Sequence, residues 1–278
     1  KKLMLTIDVE DWFSSENLSG YIKRETWNNQ QIRIEENVYN ILKMLDDYSV
    51  KATFFCLGWI TNEIPKLIPE ISNIGHKIAS HGYHHKLIYH QKPDEFKLDI
   101  IKSKNQLEDI TGIKVRGYRA PTFSITDWSL DILLELGFEY DSSLVLTNLH
   151  DRYGKIENNH NANPGDVFEI QPGLTEFSLP CIQFIGQSLP IGGGGYFRLL
   201  PFWAYHFAFK NVFRHKDFVF YFHPWEIDEN QPRISQISYF NRFRQYIGLS
   251  SNDLKLRKFI NYYKNNCVTL TQYNNEYR

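Results

Sequence analysis

Two histidines, His81 and His85, stand four residues apart, directly after an apolar run at positions 77–79 that predicts a short buried strand. Four residues make about one turn of helix, so a helical turn here would point both imidazoles the same way. Two imidazoles on one side of the backbone can bind a single metal ion. The same spacing also fits ordinary surface histidines near a loop, so the neighbouring segments decide between the two interpretations.

Three further predicted strands end in residues that can do acid–base or metal chemistry. The first, at positions 3–9, runs into an acidic cluster that contains Asp8, Glu10 and Asp11. Another strand ends at Arg119, and a late one ends at His223. Four separate strand ends that carry such residues indicate one assembled site.

The elements that must position these residues alternate between strands and helices. Strands are predicted at 3–9, 51–57, 77–81, 114–118, 138–140, 217–222 and 267–270. Helices are predicted at 35–48, 61–74, 93–110, 126–136, 200–213, 235–246 and 252–263, the second broken by its prolines. This alternation indicates βαβ units and a parallel sheet. The carboxyl ends of such strands lie at one face, where barrel and open-sheet enzymes build their sites.

Bulk properties set the broad class. A chain of 278 residues that is 42% hydrophobic can bury a large core, and no repeat or linker divides it, so we expect one domain over residues 1–278. The net charge is −1 and no basic stretch stands out, which argues against a nucleic-acid partner. No apolar run approaches the roughly 18–20 residues of a membrane span, so the chain is not expected to cross a membrane.

Redox and targeting signals are sparse. The three cysteines, Cys56, Cys181 and Cys267, lie far apart, and their odd number argues against a disulfide framework. No signal-peptide pattern precedes the first strand, so a cytoplasmic location is predicted. The chain does not begin with Met, which leaves a periplasmic or secreted protein with a trimmed leader as the alternative.

Residues 144–198 are rich in Asn, Gly and Pro, and we expect an irregular insertion with strands or hairpins that folds over the barrel mouth. Its glycine run at 192–195 permits positive φ and close approach of a ligand to the backbone, with a mobile surface loop as the alternative. Arg198, directly after this run, and Arg152 are candidates to bind a phosphate or a sugar carboxylate. For Arg152, surface solvation is the alternative.

Five short motifs occur along the chain in the order TIDVED, SHGYHH, YRAP, YDSS and FHPWE. In this order they resemble the motifs of the NodB-homology polysaccharide deacetylases, carbohydrate esterase family 4. Their wording, with GGGGYFRLLP and HPWEID, is similar to the branch found in bacterial exopolysaccharide and O-antigen gene clusters. The resemblance implies a distorted (β/α)7 barrel, a divalent metal that is usually zinc, and hydrolysis of an N-acetyl group on a sugar.

Hydrolysis of an amide needs a nucleophilic water, a polarised carbonyl and a protonated leaving amine. His81 and His85 are the predicted metal ligands, and Asp8 is the predicted general base. Arg119 would pair with Asp8 and keep it ionised and oriented, and His223 would protonate the leaving nitrogen. The respective alternatives are a structural carboxylate, a surface ion pair and a core imidazole whose hydrogen bonds are satisfied.

The third metal ligand has two candidates. The familiar first motif has two adjacent aspartates, whereas here Asp8 is followed by Val9, Glu10 and Asp11. Glu10 shares the strand side of Asp8, because side chains alternate along a strand. Asp11 keeps the residue type of the motif but requires the chain to turn first.

Further residues are candidates for orientation and substrate contact. Asp127 is a candidate to orient His223, and a backbone N–H near Thr122 or Phe123 is a candidate to stabilise the oxyanion. Contact with the sugar, with packing in the core as the alternative, is predicted for five residues: Trp12, Tyr83, Pro121, Trp225 and Tyr196.

The resemblance therefore implies a metal-dependent enzyme that removes the N-acetyl group of an amino sugar during assembly of a bacterial surface polysaccharide or O-antigen. The substrate is expected to be a nucleotide- or lipid-linked sugar or an oligosaccharide. Three alternatives remain: a peptidoglycan or chitooligosaccharide deacetylase, a cyclic-amide hydrolase, and a catalytically silent sugar-binding barrel.

Overall fold

Strand β1, Leu3–Val9, is buried along its whole length, as its nearly continuous apolar sequence predicts for a strand covered on both faces. The computed structural model describes residues 1–149, 152–157 and 161–278. In it β1 pairs in parallel with β2, Thr53–Cys56, on one side and with β10, Phe218–Phe222, on the other. The first residues of β1 also pair with β11, Cys267–Val268. The first strand of the chain therefore pairs with two strands from its last quarter.

The sheet continues away from β2 in the order β3, β4, β5, β7 and β6. All pairs along this nine-stranded sheet are parallel except the last, in which β6 runs antiparallel to β7. The bounds are β3 Lys77–Ser80, β4 Gly117–Tyr118, β5 Tyr140–Asp141, β6 Val167–Gln171 and β7 Leu174–Phe177. The sheet curls into a half-barrel, which confirms the predicted α/β class.

The segment 144–198 is more than an insertion over the barrel mouth. Its first hairpin, β6 and β7, extends the main sheet because β7 pairs in parallel with β5. A second hairpin, β8 at Cys181–Phe184 and β9 at Gln187–Pro190, forms a separate two-stranded sheet. The glycine run leads into a short helix, with Gly193 at φ +131° and the Cβ of any other residue meeting the backbone of Tyr221.

Ten helices occur in the described residues: α1 Ile34–Asp47, α2 Ile60–Glu63, α3 Leu67–Asn73, α4 Pro93–Thr111, α5 Asp127–Glu135, α6 Gly194–Leu199, α7 Phe202–Phe213, α8 Tyr239–Tyr246, α9 Leu249–Tyr263 and α10 Leu270–Tyr277. The predicted break in the helix at 61–74 separates α2 from α3, next to Pro65. Helix α4 ends as predicted at Gly112, whose φ of +68° suits a helix C-terminus. Helix α10 was not predicted, because its sequence is mostly polar.

Two carboxyl groups are buried together where β5 and β7 end. The Asp141 Oδ1 atom accepts a hydrogen bond from Ser143 Oγ at 2.7 Å, and Glu176 Oε1 accepts from the Ser143 and Leu144 amides at 3.2 and 2.9 Å. Burial raises the pKa of both groups, and the neighbouring charge of Asp141 raises that of Glu176 further. One proton shared between the two carboxyls satisfies the pair.

This pair predicts a pH dependence of stability. The pKa of Glu176 lies well above its ordinary 4.5, so the folded chain binds a proton that the unfolded chain releases. Its contribution therefore lowers the free energy of unfolding as pH rises above about 4.5. Glu176→Gln removes this effect, so its stability relative to wild type should rise with pH by at most about 1.4 kcal/mol per unit.

The measurement is denaturant unfolding at several pH values. Glu169→Gln, which removes an exposed carboxyl from the same hairpin, is the control and should leave the slope unchanged. A wild-type slope that Glu176→Gln leaves intact would contradict the shared proton.

Candidate active site

A buried ion pair connects the ends of β1 and β4. Arg119, which follows β4 and is fully buried, donates from Nη1 to Asp8 Oδ1 at 2.7 Å and to Thr6 Oγ1 at 2.9 Å. Its other donors reach Ser142, with Nε 2.9 Å from the carbonyl oxygen and Nη2 2.8 Å from Oγ. The predicted pairing of Arg119 with Asp8 is present, and it is an interior pair rather than the alternative surface one.

Glu10 lies with the two histidines. Its Oε1 atom is 2.9 Å from Nε2 of His81 and 2.9 Å from Nε2 of His85. One ligand atom from each of the three residues lies within 4.8 Å of the others, and all three side chains are buried. Two imidazoles and one carboxylate are a ligand set that suits a divalent metal such as zinc. This arrangement supports the predicted metal site.

The hydrogen bonds of His81 support a cation at this point. Its Nδ1 atom lies 2.8 Å from the carbonyl oxygen of Arg119, which can only accept, so Nδ1 carries the hydrogen. In the neutral ring Nε2 then presents a lone pair toward the Glu10 oxygen. Two lone pairs at 2.9 Å repel unless a positive charge lies between them. The three residues therefore fit a bound cation.

The loop after β3, not a helical turn, brings His81 and His85 together. His81 directly follows β3, and the chain turns at Gly82, whose φ is +74°. Asp99 on α4 then accepts hydrogen bonds from the amides of Tyr83 and His84 at 2.7 and 3.2 Å. The predicted helical turn is therefore wrong, although the imidazoles do converge. Sequence reasoning missed Asp99, which lies far away along the chain.

Asp11 has a different environment from Glu10. Its Oδ1 accepts from the Trp12 amide at 2.8 Å, and its Oδ2 accepts from the Arg33 and Ile34 amides at 2.8 and 3.0 Å. Burial raises the pKa of Asp11 to about 6, although these hydrogen bonds oppose the rise. Both oxygens thus hold the loop against the start of α1. Asp11 is therefore not the third ligand of the cluster, and Glu10 takes that place.

His223, directly after β10, faces the same cluster. Its Nε2 atom lies 3.8 Å from Asp8 Oδ2 and 3.8 Å from Glu10 Oε1, and its Nδ1 lies 3.6 Å from Glu226 Oε2. Burial lowers the pKa of His223, but the charges of these carboxylates outweigh burial and raise it to about 9. Trp225 stacks on the imidazole with ring centroids 5.3 Å apart.

Glu226 and Arg198 hold His223 on the side of its Nδ1 atom, away from Asp8 and Glu10. Glu226 Oε2 accepts the His223 amide at 3.1 Å, and its Oε1 accepts from Arg198 Nε at 3.0 Å. Arg198 also donates to backbone carbonyls of residues 244, 245 and 247, so it is not free to bind a substrate phosphate as predicted. Asp127 does not orient His223; its carboxylate accepts from the Glu157 amide. The signal for Glu226 was an acid three residues after His223 in a turn that begins with proline.

A cavity of about 410 Å³ lies beside these residues. Its lining includes six of the residues predicted as acid–base groups, metal ligands or sugar contacts: Asp8, Glu10, His85, His223, Tyr196 and Trp225. The other three predicted substrate contacts are buried in the core and do not line it: Trp12, Tyr83 and Pro121. Trp12 donates from its indole to the Gln31 carbonyl, and Tyr83 binds Asn62, so both rings serve packing.

Thr122 and Phe123 line the cavity in an unusual backbone conformation. Their φ angles are +52° and +57°, in the left-handed region that residues with a side chain seldom adopt. The Phe123 amide donates to the Ala120 carbonyl at 2.9 Å. Of the two candidate oxyanion donors, the structure therefore favours the Thr122 amide.

Comparison with known families agrees with this geometry. Residues 25–140 match the polysaccharide deacetylase family. The chain contains a polysaccharide deacetylase domain. Residues 142–270 match a second family, described as a domain of unknown function, DUF3473. The cluster draws His81, His85 and Arg119 from the first matched segment and His223 from the second.

Curated relatives of the chain are named as deacetylases of peptidoglycan and of chitooligosaccharides. Peptidoglycan deacetylase of Helicobacter pylori is 27% identical over 122 residues, 44% of this chain and 42% of that protein. Peptidoglycan-N-acetylglucosamine deacetylase of Bacillus cereus is 31% identical over 117 residues, 37% of this chain and 42% of that protein. Chitooligosaccharide deacetylase of Azorhizobium caulinodans is 31% identical over 139 residues, which are 48% of this chain and 66% of that protein. The alignments thus span less than half the length of the first two relatives.

Solved structures share the fold at low identity. A candidate polysaccharide deacetylase from Mycobacterium smegmatis gives a TM-score of 0.66 at 19% identity, covering 99% of this chain and 88% of that one. A pseudoenzyme of carbohydrate esterase family 4 from Bacillus anthracis gives a TM-score of 0.54 at 17% identity, and the match covers 98% of this chain and 64% of that one. These likenesses establish the curled half-barrel. In the described residues, no helix combines the length and apolar character needed to cross a bilayer.

We predict that removal of any of the three clustered ligands releases the metal. His81→Ala, His85→Ala and Glu10→Gln should each lower the metal content of the purified protein, measured by mass spectrometry, because three ligands are the minimum for such a site. Asp11→Asn should keep the metal and instead lower the free energy of unfolding by about 1–3 kcal/mol, since it weakens buried hydrogen bonds to backbone amides.

Asp11→Asn is thus the matched control for Glu10→Gln, because each variant replaces a carboxylate by the corresponding amide at neighbouring positions. Loss of metal from Asp11→Asn with retention by Glu10→Gln would reverse the assignment of the third ligand.

Proposed function

We propose that the chain is a metal-dependent deacetylase that hydrolyses the N-acetyl group of an amino sugar during assembly of a bacterial surface polysaccharide or O-antigen, in the cytoplasm. One observation carries the reaction: Glu10 and its two histidines lie beside the carboxylate of Asp8 and the imidazole of His223, at one cavity. The family match of residues 25–140 supports the same chemistry.

A divalent metal, for which we propose zinc, would be held by Glu10, His81 and His85. When bound it would supply a Lewis acid that polarises the acetyl carbonyl and lowers the pKa of a water. The cavity, which Asp8 and His223 also line, leaves room for the acetyl carbonyl and the water.

Asp8 acts as the general base in this proposal. Its Oδ1 is fixed by Arg119 at 2.7 Å, and its Oδ2 faces His223 at 3.8 Å, so the second oxygen is the one presented to the cavity. It takes a proton from the attacking water as the new carbon–oxygen bond forms. The Thr122 amide is placed to donate to the oxygen that gains negative charge.

His223 acts as the general acid. Its pKa of about 9 keeps the ring protonated at neutral pH, with a hydrogen on the nitrogen that faces the cavity. It delivers this proton to the sugar nitrogen as the carbon–nitrogen bond breaks, which gives acetate and the free amine. Glu226 and the stacked Trp225 hold the ring in place for that transfer.

The shape of the cavity favours a small substrate. A cavity of about 410 Å³ lined by side chains from β1, α6, β10 and α8 suits a single activated sugar or the end of a short glycan. A finished wall polymer needs an open groove. The peptidoglycan and chitooligosaccharide deacetylases named above represent the alternative substrate class.

We predict that Asp8→Asn and His223→Ala each lower kcat for acetate release by roughly 10²–10⁴-fold, the usual contribution of general acid–base catalysis. The metal content should stay near wild type, because neither residue is among the three clustered ligands. The measurement is acetate release from a panel of N-acetylated sugars, with metal analysis of each variant.

Asp127→Asn is the control, since its carboxylate binds a backbone amide outside the cavity, and it should leave kcat unchanged. Near-normal turnover of Asp8→Asn or His223→Ala would remove that residue from the mechanism. A wild type that binds metal and sugar yet releases no acetate from any substrate would identify a silent sugar-binding barrel.

A second prediction concerns substrate size. The ratio kcat/KM should be higher for a nucleotide- or lipid-linked N-acetyl sugar than for long chitin or peptidoglycan fragments, because a cavity of about 410 Å³ suits one sugar with its linked group rather than an internal residue of a polymer. Faster hydrolysis of the polymers would place the chain with the wall-modifying deacetylases.

A further inference from the structure

Two arginines line the same cavity and take no part in the proposed chemistry. Arg152 and Arg244 come from different segments, the loop after β5 and helix α8. Within the described ranges neither has a carboxylate at ion-pair distance, and the one side-chain contact of Arg152 is to the neutral amide oxygen of Asn17, at 3.3 Å. Arg244 is exposed. Both charges are therefore available to a ligand.

The acidic groups of the cavity wall have polar partners of their own. Asp8 is paired with Arg119, and Glu226 with Arg198. Glu16 also lines the cavity, and its Oε1 atom accepts a hydrogen bond from Ser19 Oγ at 3.0 Å.

Both arginines line the cavity together with Tyr153. Burial raises the pKa of Tyr153, and the positive charges of Arg152 and Arg244 both oppose that rise, in keeping with this shared lining. Among the described residues, neither guanidinium has a carboxylate partner in the cavity wall.

Beside the arginines the cavity has an apolar rim. Leu199, Phe240 and Phe243 all line it, yet 45%, 74% and 43% of their surfaces are exposed. Phe240 and Phe243 lie on the same helix as Arg244, three residues apart and hence on one side of it. Large apolar side chains exposed around a pocket mark a surface that binds an apolar partner.

We infer that the substrate of the proposed deacetylase carries an anionic group bound by Arg152 and Arg244 and, beyond it, an apolar group that covers Leu199, Phe240 and Phe243. A sugar joined through phosphate to a lipid chain has this order of chemistry: an acetamide, then a negative charge, then a hydrocarbon. A nucleotide-linked sugar shares the phosphate but places a polar base and ribose at the rim. This inference rests on the proposed function, since it assigns the acetamide to the end near His85 and His223.

The test measures binding without turnover. Metal-loaded Asp8→Asn protein is titrated calorimetrically with N-acetylglucosamine joined through phosphate to a short prenyl chain, and with the same sugar and chain joined by an uncharged glycosidic bond. We expect the charged probe to bind at least tenfold more tightly, because an arginine–phosphate hydrogen bond is charge-assisted. Arg152→Gln and Arg244→Gln, each added to Asp8→Asn, should each remove most of that preference and leave the uncharged probe unaffected.

Arg242→Gln is the matched control, because Arg242 lies on the same helix but does not line the cavity. It should change neither affinity. The rim is tested with Phe240→Ser and Phe243→Ser, which should weaken the prenyl probe several-fold but not the nucleotide-linked sugar. Equal affinity for charged and uncharged probes would overturn the anionic group. A nucleotide-linked sugar that binds more tightly than the prenyl probe would overturn the lipid.

The two proposals fail in different ways. A wild type that releases no acetate from any probe, while the Asp8→Asn protein still binds the prenyl phosphate through both arginines, refutes the proposed reaction alone. A wild type that releases acetate equally well from charged and uncharged probes refutes the anionic group alone.

Discussion

The buried ion pair between Arg119 and Asp8 is the interaction on which the site depends. Both partners are almost fully removed from water, and a buried charge is tolerated only when its partner and its hydrogen bonds are all present. The guanidinium meets that condition by contacting two strands, β1 through Thr6 and Asp8 and the end of β5 through Ser142. The backbone carbonyl of the same arginine fixes His81. One residue thus sets the positions of the carboxylate, through its side chain, and of one imidazole, through its backbone carbonyl.

Much of this arrangement could be predicted from local patterns. An apolar run followed by an acid, an arginine or a histidine marks the carboxyl end of a parallel strand, and parallel strands place those ends at one face. Asp8, Glu10, His81, Arg119 and His223 all follow that rule. The choice between Glu10 and Asp11 could not be made, because it depends on the amides of residues 33 and 34, which lie more than twenty positions away.

Other features depend on contacts that no local pattern encodes. The aromatic residues Trp12 and Tyr83 follow site motifs directly, yet their rings point into the core, while Tyr196 reaches the cavity from a distant segment. The convergence of the two histidines arises from a loop in which His85 has a φ of +55°, a conformation that sequence rules assign mostly to glycine. Strained residues at His85, Thr122 and Phe123 surround the cavity, in keeping with the tendency of backbone strain to concentrate at functional sites.

The pairing of β1 with β10 has a consequence for how the chain folds during synthesis. Leu3 pairs with Phe218, so strand β1 lacks one neighbour until more than two hundred further residues have been made. Contacts between residues so distant in sequence form slowly, because a long loop must close first. Asp8 and Glu10 at the end of β1 gain His223 only at that late step. A nascent or truncated chain therefore exposes a strand edge and an incomplete acidic cluster, which makes β1 the segment most in need of protection from aggregation before release.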